Sequence, residues 1–104
     1  MHIEILHVPD CPHLRLARSR LSIALQRIGT AASVDEICVT SPKVADELGM
    51  HGSPTITIDG SDPFDHGQGE GSMSCRLYRA EGRIDGAPGV AELIEVIGRA
   101  QCQV

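Results

Sequence analysis

Four cysteines and five histidines are the residues of this 104-residue chain best suited to nucleophilic or soft-metal chemistry. Cys11 has the most telling surroundings. It follows the mostly apolar run His2 to Val8, sits between Asp10 and Pro12, and precedes a long amphipathic stretch that opens near Leu14. That order predicts a thiol at the N-terminal end of a helix. Unpaired N–H groups and the positive end of the helix dipole favour the thiolate there, and the thiolate is the nucleophile and the metal ligand. His13 lies in the same turn and adds positive charge when protonated. Cys75, in the run Met73 to Arg79, is the second candidate thiol. Cys38 reads as core, and Cys102 as incidental to the tail. His7, Cys11 and His13 fall near one strand end, where a soft metal such as mercury or Cu(I) would find a thiolate. Zinc-type paired spacing is absent, so no metal site is assigned.

Regular elements must hold these residues. His2 to Val8 predicts a strand ending at Pro9. Asp10 offers an N-cap, with Pro12 in the first helical turn, where its missing N–H costs nothing. Leu14, Ala17, Leu21, Ala24, Leu25 and Ile28 recur at helical spacing, and Gly29 supplies the stop. Ser33 to Val39 is a second strand. Ser41 and Pro42 read as N-cap and first residue of a short helix with Val44, Ala45 and Leu48 inward and Gly49 at its end. Thr55 to Ile58 alternates β-branched residues, a strong strand signal. Residues 60–72 read as a flexible loop, with Asp62-Pro63-Phe64 as a segment able to pin it to the domain. The glycine-rich stretch from Gly67 to Gly71 lacks the residues of a phosphate loop. Met73 to Arg79 is a fourth strand, in which Arg76 and Arg79 flank Leu77 and read as an anion site or a solvated face. Arg83 to Gly86 is either loop or strand end. Pro88 precedes a last helix with Val90, Leu93, Ile94 and Ile97 on one face, and 101–104 reads as a frayed tail.

The alternation in the first half predicts parallel pairing through right-handed crossovers, and the last two strands, with no helix between them, predict a hairpin. The expected fold is α/β: β-α-β-α-β-β-α over 1–104 as one domain, with a mixed four-stranded sheet and helices on both faces.

That order resembles the minimal thioredoxin fold over nearly the whole chain. Val8-Pro9-Asp10-Cys11-Pro12-His13-Leu14 is similar to the strand-to-helix turn that carries the reactive cysteine of that superfamily. Gly52-Ser53-Pro54-Thr55-Ile56 resembles its segment with a cis-proline before the third strand. The strings HVPDCPHL, GSPTITIDGSDPF and SCRLYR, with Gly86-Ala87-Pro88, resemble small bacterial thioredoxin-family proteins, some of them alkylmercury lyase-like. The resemblance implies that Cys11 is the catalytic thiol and that Ser53–Pro54 is cis and lies against it. It also implies that Ser53, Pro54, Pro12 and His13 meet the substrate. The exposed Ser53 backbone would pair with an extended chain or a tripeptide such as glutathione. A dithiol member carries its resolving cysteine three residues after the first; Leu14 stands there. Resolution then falls to a glutathione-type thiol or to Cys75, on the strand expected beside Pro54.

Composition narrows the alternatives. The net charge is −5 and the chain holds nine basic residues, too few on this balance for broad nucleic-acid binding. One Phe, one Tyr and no Trp leave an aliphatic core. No apolar run approaches a membrane span, and the N-terminus lacks the features of a signal peptide, so a cytoplasmic location is expected, with free rather than structural cysteines. The function expected is thiol redox chemistry by a single cysteine on a thiol or disulfide substrate or small protein partner. It needs no bound cofactor, and glutathione is a candidate co-substrate. The alternatives are a non-catalytic binding module of the same fold, and thiolate handling of mercury or organomercurials.

Overall fold

Period-two alternation in the first strand sets the layering. In the computed structural model, which describes residues 1–65 and 71–101, β1 (His2–His7) sends Ile3 and Ile5 to one face and Leu6 to the other. Residues 66–70, inside the expected 60–72 loop, and residues 102–104, with Cys102 and most of the expected tail, lie outside the described residues. The chain is mixed α/β. After β1 come α1 (Leu14–Ile28), β2 (Ser33–Cys38), α2 (Pro42–Leu48), β3 (His51–Ser53) and β4 (Thr55–Ile58). Then follow β5 (Ser72–Cys75), β6 (Tyr78–Ala80), β7 (Arg83–Asp85) and α3 (Val90–Gln101).

The central sheet is mixed, in the order β2-β1-β4, with β2 parallel to β1 and β4 antiparallel to it. Ile3 and Ile5 join Ile56 and Ile58 of β4, Leu21 and Ala24 of α1, and Leu93 and Ile97 of α3 in the larger core cluster. On the opposite face Leu6, Val39, Ala45 and Met50 form a smaller one under α2. Helices therefore cover both faces. Each fully buried Leu or Ile contributes about 1.5–3 kcal/mol. No helix among the described residues is long and apolar enough to cross a membrane.

Several expectations are modified. The alternating first half predicted a parallel third strand, yet β4 runs antiparallel. The seven residues of α2 advance the chain about 10 Å, half the ~20 Å a six-residue strand covers. The chain thus re-enters the sheet at the end where it left, with Thr55 opposite Leu6. The run Met73 to Arg79 is not one strand beside β4. It breaks at Arg76 and Leu77: β5 pairs with β3 in parallel, and β6 pairs with β7, the segment whose state the sequence left open. Among the described residues the central sheet accordingly has three strands, not four. Of the three α2 residues expected inward only Ala45 is buried, while Val44 and Leu48 are 37% and 38% exposed. The α2 caps are as expected: Ser41 Oγ accepts from Val44 N–H at 3.2 Å, and Gly49 closes the helix with φ +71°.

Candidate functional site

The approach to Cys11 is a tight turn rather than a helical one. β1 ends at His7, and Cys11 N–H donates to Val8 O at 3.3 Å. Asp10 takes φ +57°, a left-handed value that Asp tolerates better than most residues, and so is not the N-cap. The helix starts at Leu14, with His13 as the N-cap residue and no side-chain cap. Pro12 contributes to the delay. A residue before proline is disfavoured in the α region, which works against a helix opening at Cys11. Cys11 therefore sits three residues ahead of α1, and its carbonyl accepts from Leu14 N–H at 3.4 Å. The thiol is unbridged and half-buried, and Pro12 is exposed.

The second half of the site is the segment after α2. Ser53 and Pro54 are buried, and the peptide bond between them is cis. Val8 N–H, in the residue just past the strand end, donates to Ser53 Oγ at 3.1 Å. A continuous path thus runs from Cys11 N–H to Val8 and from Val8 N–H to Ser53. Thr55, wholly buried, donates to Gly52 O at 2.6 Å and accepts from His51 N–H at 3.1 Å, which folds the segment onto itself.

Residues with no expected role in the site hold this segment from behind. Tyr78 hydroxyl donates to Pro54 O. Burial, the dominant cause, pushes the Tyr78 phenol well above its ordinary value; the Arg76 cation opposes the rise, and the charges of Asp62 and Cys11 add to it. Arg76 N–H donates to Ser53 O at 3.2 Å. The Arg76 guanidinium meets Asp62 Oδ2 at 2.6 Å and donates to Phe64 O at 2.7 Å, and it lies 4.7 Å from the Tyr78 ring centroid. His51 Nδ1 is 3.2 Å from the same Asp62 oxygen. Phe64 packs edge-on to Tyr78 at 5.4 Å. Arg76, read as solvated or anion-binding, is instead 7% exposed and satisfied internally. Residues 76 and 78 share the inward side, whereas Leu77 and Arg79 face out. Asp62 and Phe64 do pin their segment to the domain; Asp-Pro-Phe was the one signal of this network in the sequence.

The remaining candidates separate. His13 is not a free surface imidazole. Its Nδ1 is buried without a hydrogen-bond partner, and its ring lies on Gly86, where an added Cβ would stand 2.3 Å from ring atoms. Its neighbour Asp85 has its carboxyl held below the usual range, first by the Arg20 hydrogen bond at 2.8 Å and then by Gly86 N–H at 2.7 Å. Cys75 is exposed on β5, in register with Ser53, and is unbridged. Cys38, expected in the core, is exposed at the end of β2, a strand that leaves every residue but the half-buried Ile37 exposed. His7, Cys11 and His13 do not converge: among the described residues no group of three or more His, Cys, Asp or Glu side chains is placed to hold a metal ion.

No protein-family model and no curated protein matches the chain. The chemistry of the site thus rests on its own geometry: a free thiol in a turn tied by hydrogen bonds to a buried cis-proline segment.

Proposed function

We propose that the protein is a thioredoxin-like thiol redox protein with Cys11 as its nucleophile. The observation that carries this reading is the hydrogen-bonded path from the Cys11 turn through Val8 to Ser53, beside the cis Ser53–Pro54 bond. The strand order β2-β1-β4, with β4 alone reversed, supports a thioredoxin-like topology. In the reaction the Cys11 thiolate attacks one sulfur of a disulfide R–S–S–R. A Cys11–S–S–R bond forms, and R–S⁻ leaves and takes a proton. No outside oxidant is needed, since one disulfide replaces another.

Leu14 is half-buried against the core, so no neighbouring thiol on α1 completes a dithiol cycle. A small thiol such as glutathione, or Cys75 from its position opposite Ser53, is the candidate to release the adduct. Unbridged cysteines suit a reducing compartment such as the cytoplasm. Leu14 also favours a second reading, a binding module that keeps the site without turnover.

The test uses a variant with Cys38, Cys75 and Cys102 changed to Ser, leaving Cys11. Iodoacetamide alkylation at neutral pH is expected to be faster in the folded protein than in the same chain unfolded in urea, and oxidised glutathione is expected to yield a Cys11 adduct by mass spectrometry. Equal alkylation rates in the two states would overturn the redox reading. An adduct that no added thiol releases would favour the binding module.

A further inference from the structure

Strand addition to a protein requires a free row of backbone N–H and C=O groups. At Ser53 that row is already used by the chain itself. β3 is paired in parallel with β5, with Ser53 opposite Cys75. Ser53 O accepts from Arg76 N–H at 3.2 Å, and Met50 O accepts from Ser72 N–H at 2.7 Å. The two segments approach so closely that a Cβ on Gly52, at φ +123°, would lie 2.7 Å from Arg76 Cβ. The Ser53 hydroxyl is also engaged, by Val8 N–H. Ser53 as a whole is 2% exposed.

This covering strand is anchored. Its C-terminal end runs into Arg76, whose guanidinium is locked between Asp62, Phe64 O and the Tyr78 ring. Lifting β5 away from Ser53 would drag a buried cation from its partner, which is strongly unfavourable. Cys11, by contrast, stays half-buried rather than sealed.

We propose that Cys11 exchanges with low-molecular-weight disulfides and excludes extended polypeptide disulfides, because the Ser72–Arg76 segment occupies the backbone edge at Ser53. This rests on the reading of Cys11 as a nucleophile. The exchange is the one written above, with the thiol of a small disulfide as the leaving group.

The experiment compares two probes on the variant that retains only Cys11. One is bis(2-hydroxyethyl) disulfide. The other is a short unstructured peptide whose single cysteine is capped as the mixed disulfide with 2-mercaptoethanol. Both release 2-mercaptoethanol when Cys11 captures the remaining half, and mass spectrometry separates the adducts. Each rate is measured in the folded protein and in the urea-unfolded chain. The peptide-to-small-disulfide rate ratio is expected to be lower in the folded state by about tenfold or more, since the peptide gains no backbone bonds and meets β5 instead. An unchanged ratio overturns the exclusion while leaving the nucleophile reading intact. A folded Cys11 slower toward both probes than the unfolded chain overturns the nucleophile reading, and the exclusion with it. Hydrogen exchange gives a second readout: the Arg76 amide is expected to stay protected with the capped peptide disulfide present in excess. Loss of that protection would show β5 displaced and overturn the exclusion.

Discussion

Changing Arg76 to Leu tests whether the buried polar cluster behind Pro54 holds the site. Arg76 and Asp62 side chains are 6% and 4% exposed and meet at 2.6 Å. Removing one partner of such a pair leaves an uncompensated buried charge and costs about 3–5 kcal/mol. Asp62 keeps two other contacts, Phe64 N–H at 2.9 Å and His51 Nδ1 at 3.2 Å, which places the expected loss near the lower figure. The lost bond to Phe64 O and the stacking on Tyr78 act in the other direction. Urea unfolding read by circular dichroism should show a midpoint lower by roughly 2 M, for about 3 kcal/mol and an m-value near 1.5 kcal/mol/M. Tyr78 is the chain's one tyrosine and no tryptophan masks it, so its fluorescence reports the same site directly. The double variant R76L/D62N should recover about 1 kcal/mol or more of the loss, because no bare carboxylate remains buried. A single-variant loss under about 1 kcal/mol would refute the reasoning, since it would mean that the pair is solvated. So would a double variant less stable than R76L.

Three further outcomes follow from neighbouring contacts. Tyr78 holds its proton more tightly folded than unfolded, so between pH ~10 and its raised folded value the native state binds more protons and stability falls as pH rises. Ultraviolet titration should show phenolate appearing only together with alkaline unfolding; a phenolate in still-folded protein at pH ~10 would contradict the burial. Gly86→Ala should displace the His13 ring and cost about 1–3 kcal/mol, as overpacking does, and H13A/G86A should recover most of it in thermal melts. Ser53→Ala leaves Val8 N–H without its acceptor, with an expected cost of about 1–2 kcal/mol in urea unfolding and an altered alkylation rate at Cys11; neither change would mean the Cys11 turn is held by other contacts.

Much of this fold is written locally. The apolar stripe from Leu14 to Ile28 sets α1, and Ser41, Pro42 and Gly49 mark both ends of α2. The β-branched Thr55–Ile58 run is a strand, and each signal acts within a few residues of itself. The helix opens later than the N-cap signal of Asp10 suggests: Asp10 is left-handed, and Pro12 disfavours a helical Cys11. Pairing was less legible. Cys38 looks like core in a strand pattern, but exposure depends on which strand the helices cover, and β2 is left exposed while β4 is buried.

The sequence by itself determined the candidate nucleophile, the Ser53–Pro54 segment and the missing thiol at Leu14, because residue type and spacing carry those. Only the tertiary structure decided what surrounds them. Arg76 turns inward because Asp62, fourteen residues away, offers a buried carboxylate. Ser53 meets β5 rather than solvent because Arg76 anchors that strand. Hydrogen bonds and buried charge are satisfied by whichever group arrives in space, and the arrival of a distant group leaves no mark in local periodicity.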